Sequence, residues 1–170
     1  MTFIRPRSAL DTMLATVAAA ARGDAAARPR AVADAIAAFA ADPLLLDGRE
    51  VPGSAERYVR HLLHADPAGG YAVVALVWQP GQMSPVHGHK AWCAFAVHQG
   101  VLTETCYEPG DPPVPATTRL LAPGAGGHGP ADPRLIHRLA NLSCRPAISI
   151  HCYGVSFDRF GSEVNEIHAA

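Results

Sequence analysis

From Asp66 onward, turn-forming residues recur about every 8–12 residues, the spacing typical of all-β domains. They begin with Asp66-Pro-Ala-Gly-Gly70 and continue through Pro80-Gly81, Gly100, Pro109-Gly-Asp-Pro-Pro-Val-Pro115 and the stretch 123–133. Proline lacks the amide that a helix interior needs, and glycine weakens a helix through its backbone freedom. The loop 109–115 has no helical option. Short strands fit between the turns, and β-prone runs occupy 71–78, 101–107, 117–121, 135–139 and 147–153. The residues from Phe160 read as a tail or an edge strand. The pattern predicts a sandwich or barrel.

The N-terminal quarter obeys a different period. Leu10, Met13, Leu14 and Val17 repeat at helical spacing over 8–22, Ser8-x-x-Asp11 has the form of a capping box, and Gly23 ends the run. Pro29 opens a second Ala-rich helix to about residue 41, with Val32, Ile36 and Phe39 on one face and Asp42-Pro43 as the stop. The two helices are expected to pack on the sheet as a cap. Arg5 and Arg7 before the apolar run 13–21 give a superficial likeness to a secretory signal. Asp11 and the weakly apolar alanines favour a helix of a cytoplasmic protein instead. No stretch reaches the roughly 18 apolar residues that span a bilayer.

At 170 residues with 49% apolar and 17% charged content, the chain is expected to form one domain, with a helical cap at about 8–41 and a barrel at about 57–160. A net charge of −1 leaves no electrostatic footprint for nucleic acid or an anionic membrane. Cys93, Cys106, Cys144 and Cys152 form no C-x-x-C pair, and free thiols are the plain reading. Nothing in the sequence distinguishes a monomer from a small homo-oligomer.

Nine histidines stand out in this composition. His87 and His89 sit two apart, so on a strand both imidazoles project from one face. The apolar run that follows, ending at Gly100, reads as the second arm of the same hairpin and as a dry wall for a cavity. Trp92 and Phe95 belong to that wall or to the core. Paired histidines are a common means of holding a transition metal. His137, on the apolar strand Leu135-Ile-His-Arg-Leu-Ala-Asn141, supplies a third imidazole about fifty residues later. His61, His64, His98, His128 and His168 have no motif partner, and most are expected at the surface or in loops. Upstream, 58–64 reads as extended, with Tyr58, Arg60, Leu62 and His64 on one face and Val59, His61 and Leu63 on the other. A short helix is the competing reading there.

Pro80-Gly81…His87-x-His89…Gly100 and His137…Asn141 resemble the two motifs of the cupin superfamily, small double-stranded β-helix (jelly-roll) barrels with a metal in the mouth. The glutamate usual after the second histidine is missing, since Cys93 and Ala94 stand there. The ligand set is then three neutral imidazoles. A divalent ion so held keeps its full charge and favours an anionic substrate such as a thiolate. The nearby motifs contain no carboxylate of the kind an isomerase would use.

An H-x-H cupin without that glutamate, followed by Ser149-Ile-His151-Cys-Tyr153, resembles the cysteine dioxygenase type I family of thiol dioxygenases. The resemblance spans about 58–153 and implies Fe(II) on His87, His89 and His137. It also implies a relay of Ser149, His151 and Tyr153 that orients substrate and oxygen. Arg60 stands where family members place the arginine that grips a substrate carboxylate, with Tyr58 as helper. The short His89–Cys93 connection with its tryptophan is more like the 3-mercaptopropionate branch. The resemblance admits a Cys93–Tyr153 thioether crosslink, while a plain buried thiol or an extra soft ligand are the other readings of Cys93. The implied reaction adds both atoms of O2 to the sulfur of a small thiol, giving a sulfinic acid. L-Cysteine is favoured over 3-mercaptopropionate and mercaptosuccinate. A non-redox metal cupin, either an isomerase or lyase or a binding module, is the alternative.

Overall fold

The computed structural model describes residues 8–169. Arg5 and Arg7 lie outside them. Helix α1 (Ala9–Ala21) starts where Ser8 Oγ accepts the Asp11 amide and the Asp11 carboxylate accepts the Ser8 amide, the reciprocal box expected from the spacing. Such a cap contributes about 1 kcal/mol. Helix α2 (Arg28–Ala40) carries Pro29 in its first turn, where its missing amide costs nothing. Met13, Val17, Val32 and Ile36 are fully buried between the two helices and the sheet below. Each such side chain contributes roughly 1.5–3 kcal/mol on burial.

Ten strands follow among the described residues: β1 (Val59–Ala65), β2 (Ala72–Trp78), β3 (His87–His89), β4 (Cys93–Gln99), β5 (Leu102–Glu108), β6 (Val114–Leu121), β7 (Gly126–Gly129), β8 (Ile136–Ala140), β9 (Ala147–Tyr153) and β10 (Asn165–Ile167). They form two antiparallel five-stranded sheets, in the orders β1-β2-β9-β4-β7 and β10-β3-β8-β5-β6. This is the mainly β, double-sheet barrel with two helices packed on it that the sequence predicts. Between β9 and β10 come a single 3-10 turn (Phe157–Arg159) and the short helix α3 (Phe160–Glu163). No helix among the described residues is long and apolar enough to cross a membrane.

The first sheet is covered on both faces, which is why β2 reads as an unbroken apolar run. Val73, Ala75, Ala94, Ala96, Ile150 and Cys152 meet the helices. Val74, Leu76, Trp78, Phe95, Val97 and Tyr153 face the barrel interior. His98 on β4 is fixed to this cap rather than exposed: its Nδ1 lies 2.8 Å from the Ala40 carbonyl at the end of α2.

Three expectations are corrected by the topology. His87–His89 and the apolar run after it are not one hairpin: β3 and β4 lie in different sheets, and the residues between them cross from one to the other. The wall therefore faces the histidines across the barrel rather than from a neighbouring strand. Within 123–133, Gly126–Gly129 forms β7, paired with β4 from Cys93↔Gly129 to Ala96↔Gly126. Glycine is required there, since a Cβ on Gly126 would stand 1.8 Å from the Phe95 carbonyl oxygen. Finally, β1 has a register shift between Leu62 and His64, so that Arg60 pairs with Leu76 but His64 with Val73. His64 is thereby turned to the helix side, away from Arg60, and its ring contacts Tyr71.

Candidate metal centre

β3 and β8 lie side by side with His87 directly opposite His137, and the period of two puts His89 on the same face as His87. One nitrogen from each of the three imidazoles lies within 4.8 Å of the others. The Nε2 atoms of His89 and His137 approach to 3.0 Å. His87 Nδ1 lies 2.9 Å from the Pro85 carbonyl, an acceptor only, so its proton sits there and Nε2 keeps its lone pair. Burial, reinforced by the neighbouring His137, pushes His87 down to about 4. Burial, with His137 and His87 adding to it, pushes His89 down to about 2. These two rings are neutral at physiological pH, and neutral imidazole nitrogens aimed at one point suit a divalent transition ion.

Gly88 between them has a geometric reason. A Cβ at this position would lie 2.0 Å from the Pro133 carbonyl oxygen and 2.5 Å from its carbon. The spacer in His-Gly-His is the backbone's contact with the loop before β8.

A carboxylate does reach the centre, contrary to the sequence reading. Glu104 on β5 is almost fully buried, and its Oε1 accepts the His137 Nδ1 proton at 2.8 Å. Its Oε2 accepts from Arg119 Nε at 2.6 Å. Burial pushes the Glu104 carboxyl up, but the hydrogen bonds and charges of His137 and Arg119 outweigh it and hold it below the ordinary range. His137 Nδ1 takes one oxygen and Arg119 the other, and the group of converging ligand atoms comprises the three imidazoles without Glu104. The signal for Glu104 was present: Leu102, Glu104 and Cys106 alternate on one strand, and Leu102 belongs to the core.

Across the barrel, β9 turns Ser149, His151 and Tyr153 inward and Ile148, Ile150 and Cys152 toward the helices. Ser149 Oγ lies 2.8 Å from His151 Nε2, and His151 Nδ1 lies 3.1 Å from the Tyr153 hydroxyl. Trp78 Nε1 donates to Ser149 Oγ at 2.9 Å. With that lone pair filled, the buried serine proton has His151 Nε2 as its acceptor, which leaves the ring proton on Nδ1. His151 Nδ1–H then donates to Tyr153, and the tyrosine's own proton is free for the cavity. Burial, aided by the Arg60 charge, holds His151 well below its ordinary value, so the ring has one proton to place. Burial raises the Tyr153 phenol, with nearby Cys93 adding to the effect. Phe95 stacks on His151 at 5.0 Å and is cavity wall as expected. Trp92 instead packs at the edge of the helix-side core.

Arg60 enters the same inner cavity, of about 20 Å³, together with Tyr58, the three histidines and Tyr153. Tyr58 stacks on Trp78 at 4.4 Å and accepts a long hydrogen bond from Arg60 Nη2 at 3.4 Å. Arg60 makes no ion pair among the described residues, and its Nε is buried without a partner. A cation without a counter-ion beside three imidazoles is a place for an anion. Cys93 and Tyr153 are directly opposed on β4 and β9, and burial pushes the Cys93 thiol up to about 12. A second, more open cavity of about 560 Å³ adjoins the first and shares His89, Cys93, Phe95 and His137 with it.

The family model for cysteine dioxygenase type I matches residues 51–162. Among solved structures, an uncharacterized conserved protein with a double-stranded beta-helix domain from Klebsiella pneumoniae is 17% identical, with a TM-score of 0.53 over 71% of this chain and 86% of that one. A cupin 2 conserved barrel domain protein from Rhodopseudomonas palustris is 19% identical, with a TM-score of 0.51 over 71% and 75%. At such identities these two likenesses bear on the fold alone.

Proposed function

Because the chain belongs to the cysteine dioxygenase type I family, we propose that it is a non-haem Fe(II)-dependent thiol dioxygenase acting on a small thiol that carries a carboxylate, with L-cysteine favoured. The observation that carries this reading is the shared inner cavity: three converging imidazoles, an arginine without a counter-ion and a tyrosine with a free hydroxyl proton. His87, His89 and His137 would hold the iron through the nitrogens that converge in the cavity. Bound there, Fe(II) would supply the activation of O2 that lets both oxygen atoms join the sulfur, thiolate and O2 giving sulfinate without an external reductant.

Arg60 receives the substrate carboxylate in a planar fork and fixes the direction in which the sulfur points. Tyr58, stacked on Trp78, steadies the guanidinium. Tyr153 presents its proton to the reacting sulfur and oxygen atoms, held in place by His151 and Ser149. Phe95, Leu76 and Trp78 exclude water, which strengthens each of these polar contacts. The thiol approaches through the larger cavity. The opposed positions of Cys93 and Tyr153 support a thioether between them, formed with O2 as the oxidant that takes up the two electrons and two protons lost from the thiol and the ring, which would lock the phenol further.

The short His89–Cys93 connection favours 3-mercaptopropionate as a second reading of the substrate, with mercaptosuccinate the third candidate. Anaerobically Fe(II)-loaded protein offered L-cysteine, 3-mercaptopropionate and mercaptosuccinate separately decides among them. Oxygen uptake matched by sulfinate with one thiol names the substrate. Loaded iron without uptake from any of the three overturns the dioxygenase reading and leaves a non-redox cupin.

A further inference from the structure

We infer that Glu104, clamped by Arg119, is a positioning residue for the metal centre: it sets the tautomer and direction of His137. The inference rests on the reading of His87, His89 and His137 as metal ligands.

The three imidazoles are held in three different ways. His87 donates its outer proton to a backbone carbonyl, Pro85, at 2.9 Å. His89 Nδ1 is buried and makes no hydrogen bond of good geometry among the described residues. His137 alone donates to a carboxylate, at 2.8 Å. An ionised carboxylate accepts and cannot donate, so contact with Glu104 keeps the His137 proton on Nδ1. The Nε2 lone pair then points at His89 Nε2, where the cluster converges. A carboxylate partner also makes the imidazole a stronger donor to a metal.

The clamp explains why Glu104 can do this. β5 lies between β8 and β6, with Glu104 opposite Leu139 on one side and Arg119 on the other. That register makes His137 the diagonal neighbour of Glu104 two residues along β8. Arg119 takes one carboxylate oxygen and His137 the other, so rotation of the carboxyl breaks both. Arg119 Nη2 also reaches the Gly126 carbonyl at 3.2 Å, which fixes the guanidinium against β7. The Glu104 and Arg119 charges offset each other, so the cavity keeps the positive character that an anionic substrate needs.

The test uses the full chain, freed of metal and titrated anaerobically with Co(II) and then Fe(II) against a chromophoric chelator. In parallel, nitrogen NMR of the metal-free protein reads the His137 tautomer. Glu104→Ala should weaken metal binding about 10–100-fold, the usual effect of losing such a partner, and shift His137 toward the Nε2-protonated form. Glu104→Gln keeps an acceptor but not the charge, so the tautomer should survive while affinity falls by about tenfold, the lower end of that range. A merely structural ion pair predicts that Arg119→Met and Glu104→Ala lower the melting temperature alike and leave affinity and tautomer unchanged, and that result overturns the inference. Should Glu104→Ala not fold, Glu104→Gln with wild-type affinity for both ions overturns it equally. If the wild type binds neither ion, or His137→Ala binds as the wild type does, the three-histidine reading itself fails and the inference falls with it. Wild-type binding lost in His137→Ala but unaffected by either Glu104 variant sinks the role of Glu104 alone.

Discussion

Replacing Gly88 by alanine adds one methyl group between the two histidines of β3, and its effect can be worked from the contact it makes. The new Cβ would stand 2.0 Å from the Pro133 oxygen, 2.5 Å from its carbonyl carbon and 2.7 Å from its Cα. Ordinary contact begins near 3.4 Å, so strand and loop must part by about 1.4 Å. The loop is poorly placed to yield, because the Pro133 oxygen also lies 3.1 Å from His168 Nε2 on another segment. β3 is only three residues long and meets β8 at a single pair, His87↔His137. Even half of the displacement, taken up by β3, exceeds the roughly 0.2 Å tolerance of metal–ligand distances several times over. We expect Gly88→Ala to fold with a loss of about 1–3 kcal/mol, the usual result of overpacking. Metal affinity should fall by at least about 100-fold, the upper end for losing a partner one bond further out. Urea unfolding of the metal-free protein and anaerobic Co(II) titration measure the two effects. A variant that loses stability but binds the ion within threefold of wild type would show that the loop yields instead, and would refute the reasoning.

Arg60→Met should lower kcat/KM by about 30- to 5,000-fold, from the roughly 2–5 kcal/mol lost when a buried charged partner is removed. Its melting temperature should not fall, since Arg60 has no ion pair to lose among the described residues; a marked fall would point to a structural role. His151→Ala should reduce turnover with iron content unchanged, read by metal analysis beside oxygen uptake, and loss of iron in that variant would count against the relay. The metal-free protein should lose stability as pH falls below about 6.5. In that range the unfolded chain takes up protons at His87, His89 and His151 that the native fold, with each pKa lowered, refuses. The slope approaches about 1.4 kcal/mol per pH unit for each group, and His87 ceases to contribute below about 4. A urea midpoint independent of pH between 7 and 5 would contradict this.

What the sequence made legible was what short-range periodicity carries. The helix caps follow from Ser8, Asp11 and Pro29, and the period of two in β3 and β9 brings His87 to His89 and Ser149 to His151. What escaped it depends on partners remote in the chain. Whether the strand after His89 folds back on β3 or crosses to the other sheet is decided by which neighbours bury Phe95 and Val97, not by the three residues between. β7 was invisible because glycine has no strand propensity, and its reason is a carbonyl on β4. The shift at Leu62 and His64 depends on how β1 lies against β2. Glu104 needed only its alternation with Leu102 to be noticed, but its partners, His137 and Arg119, come from different strands.

The placement of β10 has a practical consequence. The family match ends at residue 162, while Asn165–Ile167 pair with His89, Gly88 and His87 in turn. A protein cut at the family boundary would keep His87, His89, His137, the relay and Arg60, and would look complete on an alignment. Yet β3 would become the rim of its sheet, with a row of amides and carbonyls bared to solvent or to a neighbouring molecule. Expression trials that trim the C-terminus to the recognised span, or fuse a tag directly onto it, would be handling the backing of the metal strand.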